Sequence, residues 1–235
     1  DGDDIILNGE KAYLTNGPLA DLFLVLAITD EIDGRREFTS FIVPRDTPGV
    51  KQTSGIKVNF LHPSPHCGLT LTDVRIPRSN QLGPLGGAFN AISLPMRRVE
   101  DALGAAKIAG AMRHRFRLLC NAASNRTVTE GIELALGQLS AMSEAHSALA
   151  WRAAELLDSK TEDTEEDLLN IATASHKIAK NIEEEVEGFI NAWDIEVTDA
   201  LAIANRDLVK SQGIAGYARD LQARNRGKAL LSAVV

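Results

Sequence analysis

Residues 93–121, SLPMRRVEDALGAAKIAGAMRHRFRLLCN, decide how the chain folds. Apolar or small side chains recur there every three or four residues, and this spacing predicts one long amphipathic helix. Glycine and alanine are concentrated between residues 102 and 111, and such small side chains let a second backbone or a flat ligand approach closely. Glu100 lies in the first turns, beside the apolar face. The predicted buried face consists of Val99, Leu103, Ala106, Gly110, Phe116 and Leu119.

After this stretch the helical period continues to the end of the sequence. An acidic loop over 158–167 separates two of the predicted helices, and Thr164 is placed to cap the second of them. Four long helices joined by short loops predict an antiparallel bundle. The further helices are predicted over 132–157, from Thr164 onward, over 198–210 and in a last stretch ending at Val235.

Before it the sequence alternates with a period of two. Asn8-Gly9 and Asp33-Gly34 predict two tight hairpin turns. Closely spaced strands with turn residues between them predict an antiparallel sheet or barrel. Residues 81–87, QLGPLGG, form the predicted boundary, so the fold class is α+β: a β-domain over 1–82 followed by a helical bundle over 83–235. The predicted strands are 22–29, 37–43 and 69–76.

The composition excludes several classes of function. The 235 residues have a formal net charge of -7 and 5% aromatic residues, which argues against a nucleic-acid partner. The longest apolar run, LFLVLAI from Leu22, is too short to span a membrane. Cys67 and Cys120 alone do not indicate a disulfide framework, so a reducing compartment is expected, the cytoplasm in preference to the mitochondrial matrix. The chain opens on Asp1, and we expect it to be a fragment.

Three segments of the β part resemble the acyl-CoA dehydrogenase family. They are DGDDIILNGEKAYLTNGPLADLFLVLAITD, FTSFIVPRDTPGV and LTLTDVRIPRSNQLGPLGGAF, in the family's order. In the helical part Gly110, Arg126, Gln138 and the Arg206-Asp207 pair stand where the family has the same residues. The resemblance covers the family's C-terminal half and not its N-terminal helical domain or the first half of its β-domain.

The resemblance implies FAD as cofactor, an acyl-CoA as substrate and an electron-transfer flavoprotein as acceptor. It also implies a homo-oligomer, either a tetramer or a dimer. A glutamate of the family takes the α-proton of the thioester while the β-hydrogen leaves as hydride to flavin N5. A fragment that lacks half of the cleft is expected to be inactive by itself.

The family places this glutamate at one of two positions. In the late position this sequence has Ala215, which has no carboxylate. The other position, used by the isovaleryl- and long-chain-type branch, is ten residues before the helix glycine, and Glu100 stands there. The resemblance therefore implies Glu100 as the base. Its ordinary pKa of about 4.3 would have to be raised by burial, and the alternative is a solvated surface glutamate.

The same resemblance assigns the other site residues. Tyr13, Leu14 and Thr15 would contact the flavin, with the Thr15 hydroxyl near N5. Arg126 and Gln138 would reach the cofactor of a neighbouring subunit, since an arginine fork suits a pyrophosphate; the alternative for Arg126 is a cation at a helix end.

Other positions depart from the family. Asp101 replaces an arginine beside the base, and Arg97 or Arg98 could compensate for it. Arg98 and Asp101 are assigned to substrate binding. Residues 188–194, GFINAWD, lack the family's glycine pair, and Tyr217 replaces a threonine. These departures motivate an alternative function, a non-catalytic or FAD-poor structural subunit of a mixed assembly. A related flavin oxidase or monooxygenase is the third hypothesis.

Two further clusters are given structural interpretations. Residues 62–67, HPSPHC, lack the ligand spacing of a metal site and are interpreted as a proline-rich loop near the substrate entrance. The basic residues of the long helix are predicted to form a solvated face. They are Arg113, His114, Arg115 and Arg117.

Overall fold

The structure, a computed structural model, describes residues 2–159, 164–213 and 216–232. It divides the chain into two compact units, residues 1–97 and residues 98–235. The described strands all lie in the first unit, and the second is helical. The predicted α+β class, with antiparallel sheets followed by helices, is confirmed. The predicted domain limits, 1–82 and 83–235, stay a prediction.

The first unit contains two antiparallel sheets of three strands each, in the orders β1-β5-β4 and β2-β3-β6. The strands predicted over 22–29, 37–43 and 69–76 are confirmed; the first extends further at its C-terminal end and the other two at both ends. The strands are β1 (Asp4–Thr15), β2 (Leu22–Ile32), β3 (Arg35–Pro44), β4 (Val50–Thr53), β5 (His66–Pro77) and β6 (Gln81–Leu82).

The core of this unit is formed by alternate side chains from both sheets, because every second residue of a strand points to the same face. Each such side chain contributes about 1.5–3 kcal/mol when it is removed from water. The core residues are Leu7, Phe23, Val25, Phe41, Val43, Leu69, Leu71, Val74 and Ile76.

Of the two predicted turns, one is confirmed and one is wrong. Asp33 and Gly34 have φ angles of 51° and 74° and connect β2 to β3. Asn8 and Gly9 instead lie inside β1, where the register with β5 shifts and forms a bulge. The Asn8 side chain is held there by Asp73: its Nδ2 donates to Oδ1 at 3.1 Å, and its Oδ1 accepts the Asp73 N–H at 2.8 Å. A turn and a bulge need the same residue types, so the sequence alone did not separate them.

The second unit contains long helices at the predicted positions. The Thr129 hydroxyl accepts the N–H of Ile132 at 3.4 Å, and the Thr198 hydroxyl accepts that of Leu201 at 3.3 Å, so a threonine caps each of two helices. Residues 160–163 of the acidic loop, Ala215 and the predicted end at Val235 lie outside the described residues. The helices are α1 (Leu94–Ser124), α2 (Glu130–Ser159), α3 (Thr164–Ala192), α4 (Asp199–Gly213) and α5 (Gly216–Ser232).

The helix α1 buries the predicted face in its C-terminal half, where Leu119 is buried and Phe116 packs against the core, but a different face in its N-terminal half. Val99 is 45% exposed and Leu103 57%, and Ala106 is also exposed. The buried face contains mostly alanine, because small side chains let neighbouring helices approach α1 closely. Its residues are Ala102, Ala105, Ala109, Met112, Arg115, Leu119, Ala122 and Ala123.

Helices α2 and α3 are antiparallel. Leu156, near the end of α2, clusters with Leu168 near the start of α3. Ile132, at the start of α2, shares a cluster with Phe189 near the end of α3. None of the helices within the described ranges is both long and apolar enough to cross a membrane.

Candidate functional site

The end of β1 presents Tyr13, Leu14 and Thr15. Tyr13 is 44% exposed, and Thr15 is exposed as well. Leu14 points to the other face and packs against the core of the β unit. This alternation follows from the geometry of a strand. An aromatic ring and a hydroxyl are therefore available together on one face of the sheet.

His66, the first residue of β5, stacks on Tyr13. The ring centroids are 5.0 Å apart and the planes are inclined by 25°, while the register of β1 with β5 pairs His66 with Thr15. Nδ1 of His66 is buried without a hydrogen-bond partner among the described residues. The sequence pattern placed His66 in a proline-rich loop, whereas it begins β5, because only the pairing of two distant strands brings it beside Tyr13.

The Asn-Gly pair after these residues anchors the end of the strand. Asn16 has a φ angle of 58°, its N–H donates to the carbonyl of Pro65 at 2.7 Å, and its Oδ1 accepts the Ser64 hydroxyl at 3.2 Å. Gly17 is buried, and a Cβ there would lie 2.4 Å from Sγ of Cys67. Both residue types are thus required by local geometry.

Glu100 lies near the start of α1 and is exposed. Its helical neighbours Val99 and Leu103 are exposed too, so the carboxylate stands in an apolar strip that no described residue covers. The burial expected for a base is therefore not supplied by these residues. Ala215, the alternative position, lies outside the described part of the chain.

The two residues predicted to bind substrate beside Glu100 differ in their surroundings. Arg98 donates from Nη2 to Oε1 of Glu165 at 2.6 Å, which directs its guanidinium to the start of α3. Both side chains are largely exposed, so the pair contributes at most about 1 kcal/mol. Asp101 is half-buried. Their role toward a substrate stays a prediction.

Arg126 and Gln138 lie near the opposite end of α1. Arg126 donates from Nη2 to Oδ2 of Asp194 at 2.7 Å and to the carbonyl of Trp193 at 3.4 Å, just beyond the end of α3. The guanidinium therefore lies at the C-terminal end of α3, where a cation is favourable, and its role toward a cofactor stays a prediction. Gln138 is exposed on α2. Because α1 continues from Glu100 to Ser124, the end of α1 next to Arg126 lies roughly 36 Å along the helix from Glu100.

A buried charge network crosses the helical unit at Arg115, and the prediction of a solvated face is wrong for this residue. Arg115 is 2% exposed, and its guanidinium forms a salt bridge with Glu183 of α3. The other carboxylate oxygen of Glu183 accepts a hydrogen bond from Nε2 of Gln212 at 3.1 Å. When several basic residues follow one another, the sequence does not indicate which of them is buried.

The residues present fit a flavin better than a metal. No cluster of three or more His, Cys, Asp or Glu side chains within the described ranges could hold a metal ion. The exposed Tyr13 ring offers a stacking face, and the Thr15 hydroxyl offers a donor beside it. The unpartnered Nδ1 of His66 lies behind the same ring. Burial raises the pKa of the Cys120 thiol.

Comparison of the sequence with known proteins identifies relatives of both units. Residues 1–74 match the family model of the acyl-CoA dehydrogenase middle domain. The short-chain specific acyl-CoA dehydrogenase of Rattus norvegicus mitochondria is 33% identical over 186 residues, which are 74% of this chain and 44% of that protein. The glutaryl-CoA dehydrogenase of Desulfococcus multivorans is 35% identical over 113 residues, 47% of this chain and 29% of that protein. The chain thus spans less than half the length of either relative.

Comparison of the fold with solved structures agrees with this. Butyryl-CoA dehydrogenase from Megasphaera elsdenii has a TM-score of 0.83 at 24% identity, covering 98% of this chain and 62% of that one. The prolyl acyl carrier protein oxidase AnaB has a TM-score of 0.80 with the same identity and coverage. Because one of these proteins is a dehydrogenase and the other an oxidase, the shared fold does not by itself decide the reaction.

Proposed function

The chain belongs to the acyl-CoA dehydrogenase family, and on that premise we propose that it takes part in the FAD-dependent α,β-dehydrogenation of an acyl-CoA thioester. The observation that carries this proposal is the position of Glu100, an exposed carboxylate on α1 that lies one helical turn from the exposed side chain of Leu103 and next in sequence to the exposed Val99. A surface that covers this strip would remove water from the carboxylate. Desolvation disfavours the charged form and so strengthens it as a base.

In the proposed reaction the Glu100 carboxylate takes the α-proton of the thioester. FAD, when bound, would supply the acceptor for the β-hydrogen. The Tyr13 ring would pack against the flavin, and the Thr15 hydroxyl would donate a hydrogen bond that orients it. Leu14 fixes both residues by packing into the core on the opposite face of β1. Arg98 and Asp101, within two residues of the base on α1, contact the substrate.

The assignment of the base to α1 places the chain in the helix-glutamate, isovaleryl- and long-chain-like branch of the family. It is supported by the sequence itself, because Ala215 offers no carboxylate at the alternative position.

The proposed site is completed by a second subunit. The end of α1 next to Arg126 lies roughly 36 Å along the helix from Glu100, a separation too large for both ends to contact one reacting atom. We assign Arg126 and Gln138 to the cofactor of a neighbouring subunit in a homotetramer or dimer. The Arg126 guanidinium would release the carboxylate of Asp194 and bind a pyrophosphate with two hydrogen bonds.

The 235-residue chain alone is proposed to be inactive, because a solvated carboxylate is a weak base toward a carbon acid. We further propose that an electron-transfer flavoprotein accepts the electrons and that the protein works in the cytoplasm.

The test is anaerobic addition of acyl-CoA to the flavin-loaded assembly that contains this chain, with the visible flavin absorbance as readout. Glu100→Gln is expected to slow bleaching by about 10²–10⁴-fold, the usual contribution of a general base. Glu144→Gln, which changes an exposed glutamate of α2, is the matched control and should bleach at the parent rate. Parent-like bleaching by Glu100→Gln would refute the assignment.

A second candidate function is a structural, FAD-poor subunit in a mixed assembly. Two observations favour it: Glu100 is exposed, and the Arg126 fork is engaged by Asp194. Flavin stoichiometry separates the two functions. A catalytic subunit retains about one flavin per chain, whereas a structural subunit retains little and associates with a homologous chain. Oxygen consumption without an acceptor protein would instead indicate the oxidase or monooxygenase alternative.

A further inference from the structure

We propose that the β unit contains an anion-binding pocket that takes a phosphate group. The pocket lies in the connection from β4 to β5 and has a volume of about 280 Å³. This proposal is independent of the dehydrogenation proposed above, since it concerns neither Glu100 nor the exposed face of Tyr13. The lining residues that the argument uses are Lys57, Phe60, His62, Ser64 and His66.

The charge of the lining is suited to an anion. One ammonium group and two imidazoles line the pocket, from Lys57, His62 and His66. The sequence contains no aspartate or glutamate between Asp46 and Asp73, although the whole chain has a net charge of -7. A cationic concavity in an acidic protein concentrates anions locally.

His66 supplies a group that requires a partner. Its Nδ1 is buried and unpartnered among the described residues, and a buried polar atom without a hydrogen bond is costly. Its ring is fixed by the stack on Tyr13 and by its place at the start of β5. The fixed ring lines the pocket without any rearrangement, which is the condition for preorganised binding.

The size and walls of the pocket select the ligand. Phe60 and other apolar side chains form part of the lining. The hydroxyl proton of Ser64 is donated to Oδ1 of Asn16, so the donors for an anion are the lysine and the histidines. The volume is near the lower limit of small-molecule sites. A phosphate group with a small substituent fits this space, and a whole dinucleotide does not. Inorganic phosphate and the phosphate of a mononucleotide share this chemistry.

The experiment is a titration of the purified chain with inorganic phosphate in phosphate-free buffer, followed by NMR of the histidine side chains. Saturable shifts of the His62 and His66 signals are expected. Lys57→Met and His66→Phe, the latter retaining a ring for the stack, should each raise Kd by about tenfold through loss of a charge-assisted contact. Lys51→Met removes the same charge from exposed β4, outside the lining, and should change Kd by less than about twofold.

Several results would refute phosphate binding in this pocket. They are the absence of saturable shifts, an equal effect of Lys51→Met and Lys57→Met, and parent-like binding by His66→Phe. Circular dichroism melting shows whether each variant folds. If His66→Phe does not fold, the pair Lys57→Met and Lys57→Arg decides, because arginine keeps the charge and should keep most of the affinity. A parallel titration with adenosine monophosphate distinguishes the source: tighter binding than inorganic phosphate indicates a nucleotide-borne group, and equal binding indicates the free ion.

Discussion

Replacing Glu183 by glutamine tests whether the buried charge network controls the stability of the helical unit. The Arg115 side chain is 2% exposed and that of Glu183 17%, and Gln212 completes the hydrogen bonding of the carboxylate. Glu183→Gln keeps the shape of the side chain and removes its charge. The Arg115 guanidinium then stays where water does not reach it, without a counter-charge.

The expected cost follows from this burial. Removing one partner of a buried ion pair destabilises a protein by about 3–5 kcal/mol, a large part of the roughly 5–15 kcal/mol by which a domain is stable. With a urea m-value of about 2 kcal/mol/M, the unfolding midpoint falls by roughly 1.5–2.5 M.

Tryptophan fluorescence during urea unfolding measures this effect selectively. The two tryptophans of the chain, Trp151 and Trp193, both lie in the helical unit. Trp193 packs on Phe189 with ring centroids 4.8 Å apart, so its emission changes when the core opens. The control is Glu155→Gln, which breaks the exposed Arg152–Glu155 pair and should cost less than about 1 kcal/mol.

The reasoning is refuted if Glu183→Gln shifts the midpoint no further than Glu155→Gln. A double variant gives a second criterion. Arg115→Met combined with Glu183→Leu replaces the pair by apolar groups, and it should be more stable than Glu183→Gln because no unpaired charge remains.

Two further predictions concern stability. Burial lowers the pKa of His146, so the unfolded chain binds the proton more tightly than the folded one. The free energy of unfolding should therefore fall as the pH drops below about 6.5, by up to about 1.4 kcal/mol per pH unit. A His146→Leu variant should lose less stability per pH unit when unfolding is followed by tryptophan fluorescence. Gly49→Ala should cost more than about 2 kcal/mol, since Gly49 has a φ of 89° and an added Cβ would meet the Thr72 carbonyl oxygen at 2.1 Å. Gly137→Ala in α2, where the space is open, should stabilise by about 0.5–1 kcal/mol. Circular dichroism melts compare the two glycine variants, and equal midpoints would contradict the argument.

The order of secondary structure could be predicted from the sequence because hydrophobic period is a local property. Three strands and the long helices were predicted close to their observed positions, whereas the short strands β4 and β6 were not predicted. Asn8-Gly9 failed because a bulge inside β1 uses the same residues as a turn. Which of the two forms depends on Asp73, 65 residues away along the chain.

The details of the site depend on contacts between distant residues, which the hydrophobic periodicity of the sequence does not encode. On α1 the apolar residues Val99 and Leu103 were assigned inward, yet the alanines of the opposite face are buried, because close helix packing favours small side chains over large ones. His66 acquires its neighbour Tyr13 only when β1 pairs with β5.

Glu100 combines both situations. Its position on α1 follows from the sequence, whereas its strength as a base depends on a surface that would cover Val99 and Leu103. The burial of Val99 and Leu103 therefore bears directly on function. If these two side chains were part of the core of the helical unit, no exposed apolar area would remain next to Glu100. Because they are exposed instead, the chain retains apolar area next to the carboxylate, and any surface that buries this area necessarily desolvates the carboxylate as well.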